Sequence, residues 1–341
     1  MRILIDINHP ADVHQFKFFI TDMKKRGHKF LIVARNKDVT FKLLEAYGID
    51  YLPRKGYKGI FGKTIGLLKI NSFLYKLSKK FKPDLLIGSS GDCYVAQISK
   101  LLKKPSIIFE DTEHSKIQNV LTFPFANKIC VPSCFILNLG KKEVRYNSLK
   151  ELSYLHPNNF SPNPKVLNKM GLKKNEKFFL IRFVEWSASH DIGKKNQFDK
   201  LKFIEDVKKE GKIIISSEGK LPKNLEKYKK DISPEDIHSL LYYAHMYIGE
   251  GGTMAAEAAV LGTPAVYINQ LEMGYTNELR DKYGLIIQFD DFESNYEKIM
   301  KIIREKNIKN KLKKNVKDML KEKDDPNAWM IKFIENFGGK E

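Results

Sequence analysis

The sequence predicts an α/β protein of two doubly wound halves, each a parallel sheet layered with helices. Three observations carry that expectation. The chain has 341 residues, more than the roughly 250–300 over which a single core keeps growing. Apolar runs of strand length alternate with amphipathic segments of helix length, the rhythm of repeated strand–helix–strand units. The stretch Gly249–Ala265, GEGGTMAAEAAVLGTPA, joins a strand to a small-residue helix through a glycine turn and runs on into the next strand.

The elements follow in order. RILIDI (Arg2–Ile7) is continuous and apolar, as a strand buried on both faces must be. The loop NHPADVH follows, then a helix from about His14 to Arg26, closed by Gly27. KFLIVA reads as a strand, DVTFKLLEAYG as a helix and IDYLP as a short strand. PDLLIGSSGD and SIIFEDTEH are strands with acidic C-terminal ends, separated by the helix YVAQISKLL. NKICVPS is expected to be the last strand of this half. YLHPNNFSPNPKV (Tyr154–Val166), with three prolines and three asparagines, is an extended linker that divides a domain at 1–155 from one at 156–325. In the second half KFFLIRFVEW, KIIIS, MYI, AVYI and YGLIIQF are strands. Helices lie between them, around Phe198–Lys209 and Pro234–Ala244 and within the central stretch. Two charged helices follow, near Phe292–Glu305 and Ile308–Lys321. The final helix, 326–341, is capped by Asp324 or Asp325 with Pro326 in its first turn and is free to return to the first domain.

Composition excludes several classes. No run of 18 apolar residues is present, so no spanning helix is expected. MRILIDI is too short before its polar loop to be a signal peptide. The three cysteines, Cys93, Cys130 and Cys134, form neither an even framework nor a CxxC pair, which fits the cytoplasm and argues against a metal site. The net charge of +19 is spread along the chain and read as solvated surface. Nucleic acid is not expected as a partner, since no helix-turn-helix, RRM or zinc-finger pattern occurs. Residues 55–82 mix lysines with apolar side chains. They are either an ordinary covering helix with a loop before it or a surface for an anionic membrane, which would place the protein at the inner face. The sequence leaves the oligomeric state open.

Ligands of doubly wound sheets bind outside the C-terminal strand ends, and two such domains are expected to meet in a cleft. Five loops lie at those ends: Asn8–His14, Ser89–Asp92, Glu110–His114, Arg182–His190 and Gly249–Thr253. Gly251 and Gly252 allow backbone amides to approach an anion, and the helix beginning at Thr253 directs its positive end there. Glu257, one turn further on, suits a ribose diol. His14 is either a general base kept neutral by a helix N-terminus or a structural first-turn histidine. His9, held extended before Pro10, either contacts substrate or shapes the loop. Asp92 is a base or the N-cap of YVAQ; Glu110 and Asp111 stabilise charge or cap a turn. Arg182, inside an apolar strand, needs an anion, either a phosphate or an internal carboxylate. His190, Ser217, Glu218 and Glu278 are further candidates for the donor pocket. His238 reads as a core-edge histidine.

DINHPADVHQFK, KDVTFKLLEAYGI, LHPNNFSPNPKVL, LIRFVEWSASHDIG and IHSLLYYAHMYIGE with the central stretch resemble domain-of-unknown-function family 354, a prokaryotic family of predicted glycosyltransferases. Beyond it, the chain resembles the GT-B superfamily, which includes the non-hydrolysing UDP-N-acetylglucosamine 2-epimerases. The resemblance implies a GT-B fold, two Rossmann-like domains whose parallel sheets face across a cleft. It implies a nucleotide-diphosphate sugar, a UDP-sugar above all, bound as substrate with no cofactor or metal. Gly251, Gly252, Thr253 and Glu257 match the family's diphosphate- and ribose-binding positions. His14, Asp92 and Glu110 match its catalytic ones, although the loop here is NHPADVH where many glycosyltransferases have GGxxGH. Transfer of the sugar to a glycan or lipid-linked acceptor is the first functional expectation. Epimerisation of the sugar nucleotide is the second, and binding without turnover the third.

Overall fold

The computed structural model describes residues 1–57, 59–183, 200–217 and 221–338, apart from the side chains at 60, 61, 63 and 338. These residues form two compact units, Met1–Asn159 with Lys323–Glu341, and Phe160–Glu322.

Unit 1 runs β1 (Arg2–Ile7), α1 (Pro10–Lys25), β2 (Lys29–Arg35), α2 (Thr40–Ala46), β3 (Leu52–Arg54), α3 (Ile60–Phe81), β4 (Leu85–Gly88), α4 (Cys93–Leu102), β5 (Ser106–Phe109), α5 (Lys116–Thr122), β6 (Lys128–Pro132), β7 (Glu143–Tyr146) and α6 (Leu152–Leu155). Unit 2 contains α7 (Lys165–Lys169), β8 (Phe178–Arg182), α8 (Lys200–Lys208), β9 (Lys212–Ser216), α9 (Ile237–Tyr243), β10 (Met246–Gly249), α10 (Gly252–Val260), β11 (Ala265–Ile268), α11 (Gly274–Asn277), β12 (Ile286–Phe289), α12 (Tyr296–Ile303) and α13 (Ile308–Glu322). The chain then re-enters unit 1 as α14 (Pro326–Gly338).

The described strands of unit 1 lie in the order β3-β2-β1-β4-β5-β6-β7 and those of unit 2 in the order β12-β11-β10-β8-β9, every neighbouring pair parallel. Successive side chains of a strand point to opposite faces, and the cores divide accordingly. Ile3, Ile5 and Ile7 pack with Phe16 and Phe19 of α1 and Ile334 of α14. Leu4 faces the other way, toward Ile70 and Leu74 of α3 and Val95 and Ile98 of α4. In unit 2 Phe179, Ile181 and Ile248 meet Phe203 of α8 and Ile299 of α12. Strand order reverses between β1 and β4 in unit 1 and between β8 and β10 in unit 2. Those two crevices are where sheets of this kind hold ligands.

Two expectations are corrected. NKICVPS is not the last strand of unit 1, because β7 follows it, with Cys130 beside Val144. EVRY is short and polar, so its pattern does not announce a strand; the Arg145 guanidinium fastens it by donating to the carbonyls of Ser133, Phe135 and Leu137. Helix α1 begins at Pro10, not at His14. His9 is its N-cap and accepts from the Ala11 amide at 3.2 Å, while Asp12 accepts from the amides of Asn8 and His9, each at 2.9 Å. With Pro in the first helical position and an acid two residues later, His-Pro-Ala-Asp works as a capping box. His14 therefore stands one turn inside the helix.

Candidate functional site

In unit 2, β10 ends at Gly249, in register with Arg182 at the end of β8. A Cβ at Gly249 would lie 2.5 Å from Tyr247 Oη and 2.6 Å from the Arg182 carbonyl oxygen, so the strand end tolerates no side chain. Gly251 is the N-cap of α10, and among the described residues no side-chain cap bond closes that helix. The first-turn amides of a helix have no intrahelical acceptor, and the helix dipole adds partial positive charge at the same place. Gly251, Gly252 and Thr253 are half-buried, so these donors are not sealed within unit 2. The Arg182 guanidinium is half-buried as well and donates from Nη1 to Ser216 Oγ at 3.1 Å; Ser217 follows, also half-buried. A Cβ at Gly252 would reach 2.4 Å from Met273 Cε and 3.0 Å from Tyr275 Oη, so the loop and helix after β11 lie against the turn. First-turn amides and a guanidinium at the reversal point of a parallel sheet are the kind of groups that suit an anion.

Glu257 lies further along α10 and is buried, with His238 Nε2 of α9 at 3.1 Å from its Oε1. The ribose contact expected of this carboxylate would thus come from one already shared with a histidine inside unit 2. Glu278 opens the π-helical turn Glu278–Lys282 after α11 and is half-buried. His190 and Glu218 lie outside the described residues.

In unit 1 the ends of β1, β4 and β5 bring together a dense polar group. Asp92 caps α4 by accepting from the Val95 amide through Oδ1 at 3.2 Å, while its buried Oδ2 has no hydrogen-bond partner among the described residues. Burial, followed by the negative charge of Asp6, holds its carboxyl well above the usual carboxylate range. Gly91, at φ +71°, gives the turn before Asp92 a backbone that other residues rarely adopt, and its amide donates to Glu110 Oε2 at 3.1 Å. Glu110 Oε1 accepts from the amides of Asp111 and Thr112 at 3.0 and 2.9 Å. Burial, then the Asp111 charge, nonetheless raises Glu110 to about 7. Asp111 behaves oppositely: burial alone would raise it, but the Lys150 ammonium paired with it, Ser90 and Thr112 draw it below the normal range. Asp12 is raised to about 6, chiefly by burial. His14 is buried, stacked on Tyr154 with ring centroids 5.3 Å apart, and its Nδ1 lies 3.3 Å from Tyr47 Oη. His9 keeps an exposed edge; the protein crowding the rest of the ring, then the Lys37 and Lys150 cations, lower it to about 4. Its described contact is the cap of α1.

The raised Glu110 carries a pH prediction. The folded state holds this proton more tightly than the unfolded chain, whose carboxyl titrates near 4.5. The resulting penalty is absent below about pH 4.5 and grows to its full size, up to about 3 kcal/mol, above about pH 7. Urea midpoints of the native protein are therefore expected to fall across that interval relative to Glu110→Gln, and parallel curves would contradict the shift. Gln loses acceptor capacity too, but that loss does not vary with pH.

Sequence reasoning missed the ion pair beneath this group. Arg54 donates to both Asp6 oxygens, from Nε at 2.8 Å and Nη2 at 2.8 Å, with both side chains nearly inaccessible, and also to Asn8 Oδ1. A charged residue inside the apolar run RILIDI was the available signal. Lys150 gave none. Among the described residues no group of His, Cys, Asp and Glu is arranged to hold a metal ion.

Two parallel-sheet α/β units of this topology define the GT-B fold, which the solved neighbours share. The Neisseria meningitidis UDP-GlcNAc 2-epimerase bound to UDP-GlcNAc superposes with a TM-score of 0.69 at 13% identity, covering 98% of this chain and 100% of that one. The spinosyn rhamnosyltransferase SpnG superposes at 0.63 with 13% identity, covering 98% and 100%. The chain belongs to the family described as protein of unknown function (DUF354), whose model matches residues 1–337. An uncharacterised protein of Methanocaldococcus jannaschii is 26% identical over 280 residues, 78% of this chain and 81% of that protein.

Proposed function

We propose that this protein is an enzyme acting on a nucleoside-diphosphate sugar, a UDP-sugar first, and that it transfers the sugar to an acceptor hydroxyl without a metal ion. The observation that carries the donor half of this reading is the start of α10, without a side-chain cap among the described residues, beside the strand end at Arg182. Main-chain dipoles and a guanidinium there take the diphosphate's charge and stabilise it as it leaves. The catalytic half assigns the base to Asp92, whose raised carboxyl and unpartnered Oδ2 suit proton transfer. In that step the acceptor O–H bond breaks and its proton passes to the carboxylate. The acceptor oxygen bonds the anomeric carbon, and the nucleoside diphosphate departs with the electron pair of the broken C–O bond.

A second reading, 2-epimerisation of the sugar, is favoured by one observation: burial raises two neighbouring carboxyls, Asp92 and Glu110, above their usual range, and epimerisation needs one group that takes a proton and another that gives one. Thermal shift against a panel of sugar nucleotides identifies the donor, since only a bound ligand raises the melting temperature. Arg182→Ala is expected to weaken that donor by about tenfold or more, and an undiminished shift would remove the arginine from the site. Incubation with UDP-N-acetylglucosamine alone, followed by NMR, separates the readings: a manno product sinks the transferase and supports the epimerase.

A further inference from the structure

The helices on the Leu4 side of the unit 1 sheet have an unusual composition. Together α3, α4 and α5 contain seven lysines and no aspartate or glutamate, in a chain with 41 acidic residues among 341. Their outer surface is also apolar. Leu68 of α3 is 73% exposed, Ile117 and Val120 of α5 are 76% and 71% exposed, and Leu101 at the end of α4 is 67% exposed. Core packing explains none of these side chains, because α3 turns Ile70 and Leu74 inward and α4 turns Val95 and Ile98 inward. The three helices are tied side by side through Gln97, which accepts from Asn71 Nδ2 of α3 at 2.7 Å and donates to the Leu121 carbonyl of α5 at 3.2 Å. The exposed apolar side chains thus share one layer, with Lys69, Lys76 and Lys116 exposed among them.

We propose that this layer is a docking face for an anionic phospholipid bilayer. Apolar side chains enter the interface while lysine ammonium groups stay at the level of the headgroups. Charge chooses the occupant. A second copy of the chain would set lysine against lysine with no carboxylate to answer it, whereas a phosphatidylglycerol or phosphatidylserine surface supplies the missing negative charge. No helix among the described residues is long and apolar enough to cross a membrane, so the contact is peripheral. This inference does not rest on the sugar-nucleotide reading.

The test is sedimentation of the full chain with vesicles of phosphatidylcholine alone and of phosphatidylcholine mixed with phosphatidylglycerol. Binding is expected only to the mixed vesicles, weakening as salt rises. The double substitution Leu68→Glu with Val120→Glu changes two highly exposed positions and is expected to cut that binding about tenfold or more. Lys24→Glu with Lys42→Glu removes more positive charge, but from α1 and α2 on the opposite side of the sheet, and is expected to leave binding within about twofold. No binding to mixed vesicles overturns the proposal. So does an equal loss in both variants, since the overall charge would then be the cause. A dimer that dissociates in the Leu68→Glu, Val120→Glu variant, without vesicle binding, would assign the face to a second copy instead.

Discussion

Asp92→Asn is expected to reduce turnover of the identified donor by about 10²–10⁴-fold, the usual range for a lost general acid or base, while the melting temperature holds or rises. The separation between the two effects is what makes the substitution informative. The cap of α4 uses Asp92 Oδ1 as an acceptor, and an asparagine oxygen supplies the same bond. The charge itself is a burden to the fold, since burial and Asp6 both penalise it. Asparagine removes the burden and keeps the cap. Asp92→Ala would lose the cap as well, at about 1 kcal/mol. Unchanged turnover in Asp92→Asn would reduce the residue to a helix cap and return the base to Glu110 or His14.

Arg54→Met is expected to destabilise the protein by about 3–5 kcal/mol, the typical result of stripping one partner from a buried ion pair. Asp6 would be left in a fully enclosed position without the guanidinium that answers its charge. The nearly inaccessible pair leaves no room for water to take over from the guanidinium. Adding Asp6→Asn to Arg54→Met should recover most of the loss, because no uncompensated charge then remains. Chemical denaturation of the single and double variants measures both. If the single variant loses less than about 1 kcal/mol, the pair contributes little to stability.

The sequence revealed what depends on near neighbours. β1, β10 and the glycine turn between β10 and α10 were legible because strand length, small residues and glycines occur within one short stretch. The group at Asp92 and Glu110 was legible for a related reason: both are polar residues that directly follow apolar strands. The cap of α1 was also written locally, in His9, Pro10 and Asp12, yet histidine is an uncommon cap and the start was set a turn too late. What could not be read were pairings across the chain. Arg54 and Asp6 are 48 residues apart and His238 and Glu257 are 19 apart, and no periodicity connects such positions. The second pairing changes the meaning of Glu257, which looked like a ribose ligand and is also the partner of a buried histidine. β7 was hidden because four mixed residues at a sheet edge carry no apolar signature.

Unit 2 is inserted within unit 1, with α14 supplied from beyond the insertion. A ribosome makes the chain from its first residue, so Met330, Ile331 and Ile334, which close the core over Ile3, Ile5 and Phe19, emerge only after all of unit 2 has been synthesised. Throughout that interval the nascent protein carries one sheet face of its first lobe without its last cover, and completion of the earliest structure waits on the latest helix.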